Sequence, residues 1–436
     1  MFTESHSRTI IVSIRDVHRH GLKLNDEIND HPMSGSDPVS PRVIIKPKRA
    51  LPFFSHHPWV FGGAILRLEG KIQPGDEVAV YSHDEKFIAW GLFNPHSQIR
   101  VRLFSWEENV RIDRDLLSRK LDSAFRVRMP MFREADEETA ARLVFSEGDQ
   151  LSGLVVDQFG EWLLVQVTSL AVAERIELIL DILEEKLNPR GIYLRTEKGM
   201  NEHEQLEMQD SLVRGEAPPE KILIKDDGIR YEVDVLEGQK TGFYLDQRSN
   251  RRAFTNYLPP NARVLDAFCY SGGFGLAAAI HGNASSILSA DTSESALQLA
   301  KANAELNGVA DKFEFRQVDV FDDLGTLIDE GQTFDAVILD PPKLARTRRG
   351  VDRAMKGYFS LNSRALDLMP NGGLLVTCSC SGLVTRHDFE DMLSQVATRN
   401  KRSIRVLEAR GQAADHPVST WCAETNYLKC YICWVD

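Results

Sequence analysis

Four aspartates and one cysteine carry the chemistry that this sequence can be read to offer. Asp266, Asp291, Asp319 and Asp340 each follow a short apolar, strand-like run, and Cys380 follows a fifth. Polar groups delivered by successive strand ends are how open α/β sheets build ligand sites. A packing accident accounts for one such residue, but poorly for five. Carboxylates attract cations and accept hydrogen bonds from vicinal hydroxyls. A cysteine becomes a nucleophile once its thiol is ionised.

The stretch from Asp266 to Gly275, Asp-Ala-Phe-Cys-Tyr-Ser-Gly-Gly-Phe-Gly, lies between an apolar run and a buried-helix pattern at 276–280. Strand, glycine-rich turn and helix form the nucleotide corner of a doubly wound sheet. The glycines are expected to let backbone approach a ligand. The turn has neither the G-x-x-x-x-G-K-[ST] nor the G-x-G-x-x-G pattern, and acidic groups surround it. That environment repels a pyrophosphate and suits a cation bearing a ribose and an adenine. S-adenosylmethionine meets this description, and Asp291, 25 residues beyond Asp266, stands where a carboxylate takes ribose hydroxyls.

The chain has 436 residues, 42% hydrophobic and 27% charged, which predicts more than one globular domain. Residues 1–41 read as a flexible tail. Residues 42–107 hold several short strand-like runs, the pattern of a small β-barrel. Residues 108–225 read as an α+β middle domain, with helical stripes around Leu117–Phe125 and 176–187 and paired strands around Phe159-Gly160. Residues 226–436 form the α/β domain, introduced by a hairpin at Asp226-Asp227-Gly228 and a polar loop at 238–248 expected to pack over the ligand pocket. Arg195 and Lys198 read as surface charges.

The net charge is −12, which argues against indiscriminate nucleic-acid binding. Charge is unevenly spread, however. Residues 42–106 carry a local excess of +4, and residues 343–356 an excess of +5. No run approaches the roughly 20 apolar residues of a membrane span, and no secretory leader is apparent, so a cytoplasmic location is expected. The six cysteines, all from residue 269 onward, suggest reduced thiols. Cys430 and Cys433 have C-x-x-C spacing but no second ligand pair, so no metal site is expected.

Residues 261–385 resemble a class I S-adenosylmethionine-dependent methyltransferase. More narrowly, the motifs Lys240-Thr-Gly-Phe-Tyr-Leu-Asp-Gln-Arg248, Asp266 to Gly275, Asp340-Pro-Pro-Lys343, Ser379-Cys-Ser-Gly382, Ala414-Asp-His-Pro417 and Tyr427-Leu-Lys429 resemble the bacterial large-subunit rRNA 5-methylcytosine methyltransferases of the RlmI type. The resemblance covers roughly residues 42–436 and implies a Rossmann-like methyltransferase domain preceded by an α+β middle domain and an N-terminal PUA-like barrel. It implies that Thr241, Asp266, Phe268, Tyr270, Gly272, Asp291, Asp319 and Asp340 surround S-adenosylmethionine, with Phe268, Tyr270 and Gly272 at the methionine end and Asp319 near the adenine amine. It implies Cys380 as nucleophile, with Asp340 holding the target base. Large-subunit rRNA is the expected partner, and the barrel is a surface on which two copies could pair.

Chemistry supports a cysteine independently. C5 of cytosine is a poor nucleophile until a thiolate adds at C6. Cys378 and Cys380 compete for that role; the motif centres on Cys380, and Cys378 suits a buried, inert thiol. Lys343 and Arg346 would favour the thiolate if they point inward. Asp-Pro-Pro-Lys also resembles the turn of amino-group methyltransferases, so a base N-methyltransferase, for example of guanine in rRNA, is the alternative. A noncatalytic RNA-binding assembly factor is a third reading. Lys343, Arg346, Arg348, Arg349 and Arg353, beside the pocket, are expected to grip phosphates. Lys46, Lys48, Arg49 and Trp59 are the RNA candidates of the barrel, with Trp59 equally readable as core.

Overall fold

The computed structural model describes residues 41–132, 136–196, 200–236 and 242–436. The expected tail before residue 41, Lys198, and Lys240 and Thr241 lie outside the described residues. Two compact units emerge: one runs through Pro219 and also takes Asp415–Ala423; the other comprises Glu220–Ala414 and Glu424–Asp436. Among the described residues no helix is long and apolar enough to cross a membrane.

The first unit contains two sheets. The strands Arg42–Ile45, Trp59–Phe61, Ile65–Glu69, Glu77–Tyr81, Phe87–Phe93 and Ile99–Ser105 form one six-stranded sheet. Val43, Ile45, Val60, Val78, Val80, Val101 and Leu103 fill its core. Two of its strands, Trp59–Phe61 and Ile65–Glu69, escape a pattern reading, because Phe61 in the first and Leu66 and Leu68 in the second are exposed and hide the usual alternation. The second sheet orders Ser211–Gly215, Gly191–Arg195, Trp162–Val167, Leu154–Phe159 and Ala140–Phe145. The helices Arg114–Arg128 and Ile176–Leu187 bury Leu117, Leu121, Phe125, Ile179, Leu180 and Leu183 in the core of this second module.

Arg128 ends the first of these helices wholly buried. Its guanidinium pairs with both oxygens of Asp149 (2.6 and 2.7 Å) and donates to the carbonyls of Arg142 and Asp415. Asp415 also accepts from the backbone N–H of Arg142 and contacts His416 Nδ1 at 2.8 Å. A segment remote in sequence is thereby stitched into this unit. Arg195 corrects the surface reading: it is only 9% exposed, its Nε 3.2 Å from Asp210.

In the second unit seven strands form one sheet: β1 Arg263–Ala267, β2 Ser286–Asp291, β3 Phe313–Gln317, β4 Ala336–Leu339, β5 Gly373–Ser379, β6 Ile404–Arg410 and β7 Lys429–Val435. Their order is β3-β2-β1-β4-β5-β7-β6, with β7 antiparallel to both neighbours and β1–β5 mutually parallel. Strands β4 and β5 are buried throughout and read as continuous apolar runs, as covered parallel strands must. Helices α1 Gly273–Ile280, α2 Glu294–Leu306, α3 Val320–Asp329, α4 Val351–Asp367 and α5 Arg386–Asn400 connect them. The order reverses between β1 and β4, which places the ligand crevice at the carboxyl ends of those strands. The hairpin Ile222–Asp226/Ile229–Val233 turns through Asp227 and Gly228, both at positive φ (50° and 81°), and docks on α2 through Asn303 and Asn307.

Candidate active site

The turn after β1 is built by its own strain. Phe268 and Tyr270 adopt left-handed backbone (φ 65° and 48°), and Gly272 follows at 81°. Non-glycine residues hold such angles only where their surroundings over-determine them. Here Cys269 N–H bonds to Ala290 of β2, Tyr270 N–H donates to Asp291 Oδ2 (3.0 Å), and buried Asn303 donates to the Ser271 carbonyl. The glycines crowd against protein more than the sequence suggests. A Cβ on Gly275 would meet Asp266 Oδ2, Phe313 and Ile287 at about 3.0–3.1 Å, and one on Gly272 would meet Ala300 at 3.2 Å.

Asp266 is buried beneath the turn, where Oδ2 accepts the Gly275 N–H at 2.8 Å. Burial, reinforced by the nearby Asp340 and Asp291 charges against that hydrogen bond, pushes its carboxyl up to about 7. Asp291 lies half-buried at the end of β2; it accepts from Tyr270 and, through Oδ1, from Ser293 N–H. Asp319 stands two residues past the end of β3, exposed, and caps α3 by accepting from Phe321 N–H. Phe268 packs edge-on against Phe321, and Tyr270 against Tyr244, while the Tyr270 hydroxyl donates to the Gly242 carbonyl. Carboxylates, aromatic faces and a glycine-rich helix N-terminus are a donor and acceptor set that fits a cationic, ribose-bearing cofactor.

Register joins the remaining two strand ends. Leu339 of β4 pairs with Thr377 of β5, so Asp340 and Cys380 leave the same edge of the sheet. Tyr244 feels the charge of both, and burial raises its phenol pKa. Asp340 accepts from Gln247 Nε2 at 3.0 Å; Gln247 is held by Asn250, which in turn is held by Arg410. Ser381 ties the two turns together, its Oγ accepting from Ala345 N–H and meeting the Tyr358 hydroxyl, both at 3.2 Å. The strand ends at Ser379, so the two thiols diverge. Cys378 is fully buried opposite Cys430, with its pKa pushed well up by burial. Cys380 is half-buried, whereas all five other cysteines are buried.

Lys343, Arg346, Arg348, Arg349 and Arg353 are exposed, and among the described residues none of them pairs with a carboxylate. Lys343, Arg346 and Arg353 line a cavity of about 580 Å³ with Phe321, Leu344 and Gly357. The buried cation beside Cys380 is Lys429, which stands in the Tyr427–Lys429 motif without an expected role. Tyr244 and Gln247 stand likewise in the 240–248 motif, and Asn250 lies outside every motif; only the fold brings them to Asp340 and Cys380. In the first unit Lys46, Lys48 and Arg49 are exposed, and Lys46 Nζ donates to the Gly63 carbonyl. Trp59 is half-buried, and its indole N–H donates to Glu147 at 2.9 Å.

Comparisons with known proteins agree with this architecture. A PUA-like domain model matches residues 43–106, and an S-adenosylmethionine-dependent methyltransferase model matches residues 207–427. The chain is 38% identical over 395 residues to the ribosomal RNA large subunit methyltransferase I of Erwinia tasmaniensis, covering 90% of this chain and 99% of that protein. It is 36% identical over 398 residues to the protein of the same name from Escherichia coli O139:H28, covering 91% and 100%. Among solved structures, a Streptococcus mutans protein described as a SAM-dependent methyltransferase superposes with a TM-score of 0.77 at 21% identity, covering 90% of this chain and 99% of that one. A methyltransferase fold solved with SAH gives 0.78 at 22% identity over the same shares. These two show the fold; the identity to the curated relatives shows the family. The chain belongs to the ribosomal RNA large subunit methyltransferase I family of S-adenosylmethionine-dependent methyltransferases.

Proposed function

We propose that this enzyme methylates C5 of a cytosine in large-subunit ribosomal RNA, with Cys380 as nucleophile. The observation that carries the reading is the contrast among thiols. Cys380 alone is half-buried, at the carboxyl end of β5 beside the Asp340 turn, while the other five are sealed in the core. When bound, S-adenosylmethionine supplies an electrophilic methyl group. Asp291 holds the ribose, Asp319 the adenine edge, and Phe268, Tyr270 and Gly272 the methionine end, with Asp340 completing the pocket. Asp266 keeps the turn in shape from below.

The Cys380 thiolate adds to C6, and the C5=C6 electron pair moves to C5, which takes the methyl group. Loss of the C5 proton to a base restores the double bond and expels the thiolate. Asp340, fixed by Gln247, accepts from the cytosine amino edge and holds the ring over Cys380. The target base leaves its stack to reach this pocket.

The exposed Lys343, Arg346, Arg348, Arg349 and Arg353 take the phosphates that flank it, and the cavity at Phe321 gives an adjacent nucleotide room. Lys46, Lys48 and Arg49 add a second basic surface. Trp59 contributes only its half-buried ring, because its N–H is committed to Glu147.

Cys380→Ala tests the chemistry. With rRNA from a strain lacking the enzyme as substrate, the variant loses methyl transfer to cytosine by about 10³-fold or more while still binding S-adenosylmethionine. Retention of wild-type transfer, or a methylated guanine as product, replaces this reading with base N-methylation.

A further inference from the structure

Lys429 is the charged group that the reaction above leaves unexplained. It lies on β7 opposite Ser379 and is only 2% exposed. Its Nζ donates to the carbonyl of Ser381, the residue after Cys380, at 2.6 Å, and to the Tyr427 carbonyl at 2.9 Å. Among the described residues no carboxylate lies within ion-pair reach of it. A buried ammonium held only by carbonyls is costly and calls for a counter-charge.

The groups that face it are few. Cys380 faces it from the turn after β5, Arg386 and Asp388 from the start of α5, and Lys343 from the turn after β4. Arg386 and Lys343 repel it. Asp388 keeps its negative charge in the cap of α5, where Oδ2 accepts from both the N–H and the hydroxyl of Thr385 (2.9 and 2.7 Å), but among the described residues it forms no ion pair with Lys429. The Lys429 Nζ lies instead against the Cys380 turn, on the Ser381 carbonyl, which makes the Cys380 sulfur the counter-charge at hand. Resting on the reading of Cys380 as nucleophile, we propose that Lys429 is the positioning residue that holds Cys380 as a thiolate, the buried ammonium and the sulfur forming one ion pair across β5 and β7.

Two further facts agree with this. Burial lowers the Lys429 pKa to about 8, and Cys380 is the largest influence opposing that fall. An ammonium at about 8 is still protonated at neutral pH, where the thiolate is needed. Lys343 and Arg346, which the sequence suggested for this role, are exposed to screening water.

The experiment is the pH dependence of Cys380 alkylation by iodoacetamide in the full-length protein, read by mass spectrometry on the Cys380 peptide. The five buried cysteines serve as slow internal controls. In the wild type, the alkylation midpoint is expected at least one pH unit below the free-thiol value of about 8.5. Lys429→Met is expected to move it to about 8.5 or above, which lowers alkylation at pH 7 about tenfold, and Lys429→Arg is expected to restore a low midpoint. A wild-type midpoint near 8.5 overturns the proposal, even should Lys429→Met not fold. So does a Lys429→Met midpoint equal to the wild type. Alkylation is independent of methyl transfer, so persistence of transfer in Cys380→Ala removes the nucleophile while leaving the ion pair to stand or fall on its own titration.

Discussion

Replacing Asp266 with Asn is expected to stabilise the methyltransferase unit at alkaline pH while leaving the fold of the turn intact. Asn can still accept the Gly275 N–H through its Oδ1, so the geometry at 2.8 Å is kept. What disappears is a buried charge. A carboxyl raised from 3.8 to about 7 carries a penalty of about 4 kcal/mol on its ionised form. The folded state binds the proton more tightly than the unfolded chain does, so this penalty is absent below about pH 4. It grows as the unfolded chain ionises and is complete once pH passes about 7. Between pH 5 and pH 8 the wild type should therefore lose about 2–3 kcal/mol on account of this one group. Hydrogen exchange of the β1–α1 amides in the full chain, without cofactor and at both pH values, gives the local opening free energy after correction for the intrinsic rates. The expected result is a pH-dependent loss in the wild type that Asp266→Asn reduces by that amount. An equal slope in the two proteins would show that Asp266 is not a buried, proton-binding acid, and the account of the turn would fail with it.

Two other sets of substitutions probe the rest of the chain. Arg128→Met leaves Asp149 buried without its bidentate partner, so the first unit should lose about 3–5 kcal/mol in chemical denaturation; adding Asp149→Leu should recover much of it. Neutralising Arg348, Arg349 and Arg353 together to Ala should weaken rRNA binding most at low salt. It should also flatten the plot of log affinity against log salt by about 2–3, one phosphate contact for each exposed guanidinium; an unchanged slope would remove this run from the interface.

Local pattern made much of the methyltransferase unit legible, and distance along the chain hid the rest. Strands β1, β2 and β4 are short apolar runs with Asp266, Asp291 and Asp340 at or beside their carboxyl ends, so local pattern alone locates them. The start of helix α4 at Val351 is hidden from pattern reading, because the basic cluster before Tyr358 masks its amphipathic stripe. The strands Trp59–Phe61 and Ile65–Glu69 were missed because their apolar residues partly face solvent. Arg195 was misjudged because charge alone does not reveal a partner such as Asp210, 15 residues away.

The sequence by itself determined the glycine-rich turn, the procession of acidic strand ends, and two candidate thiols two residues apart. Those features depend on composition and spacing within single elements, which local sterics and periodicity control. Tertiary structure alone gave the two thiols different surroundings, by ending β5 at Ser379 so that Cys378 is sealed against Cys430 while Cys380 is half-buried. It alone placed Gln247 on Asp340 and Lys429 beneath the Cys380 turn. Such pairings join residues 93 and 48 positions apart. The second exists because β7 returns antiparallel beside β5, burying a lysine whose charge no local pattern accounts for.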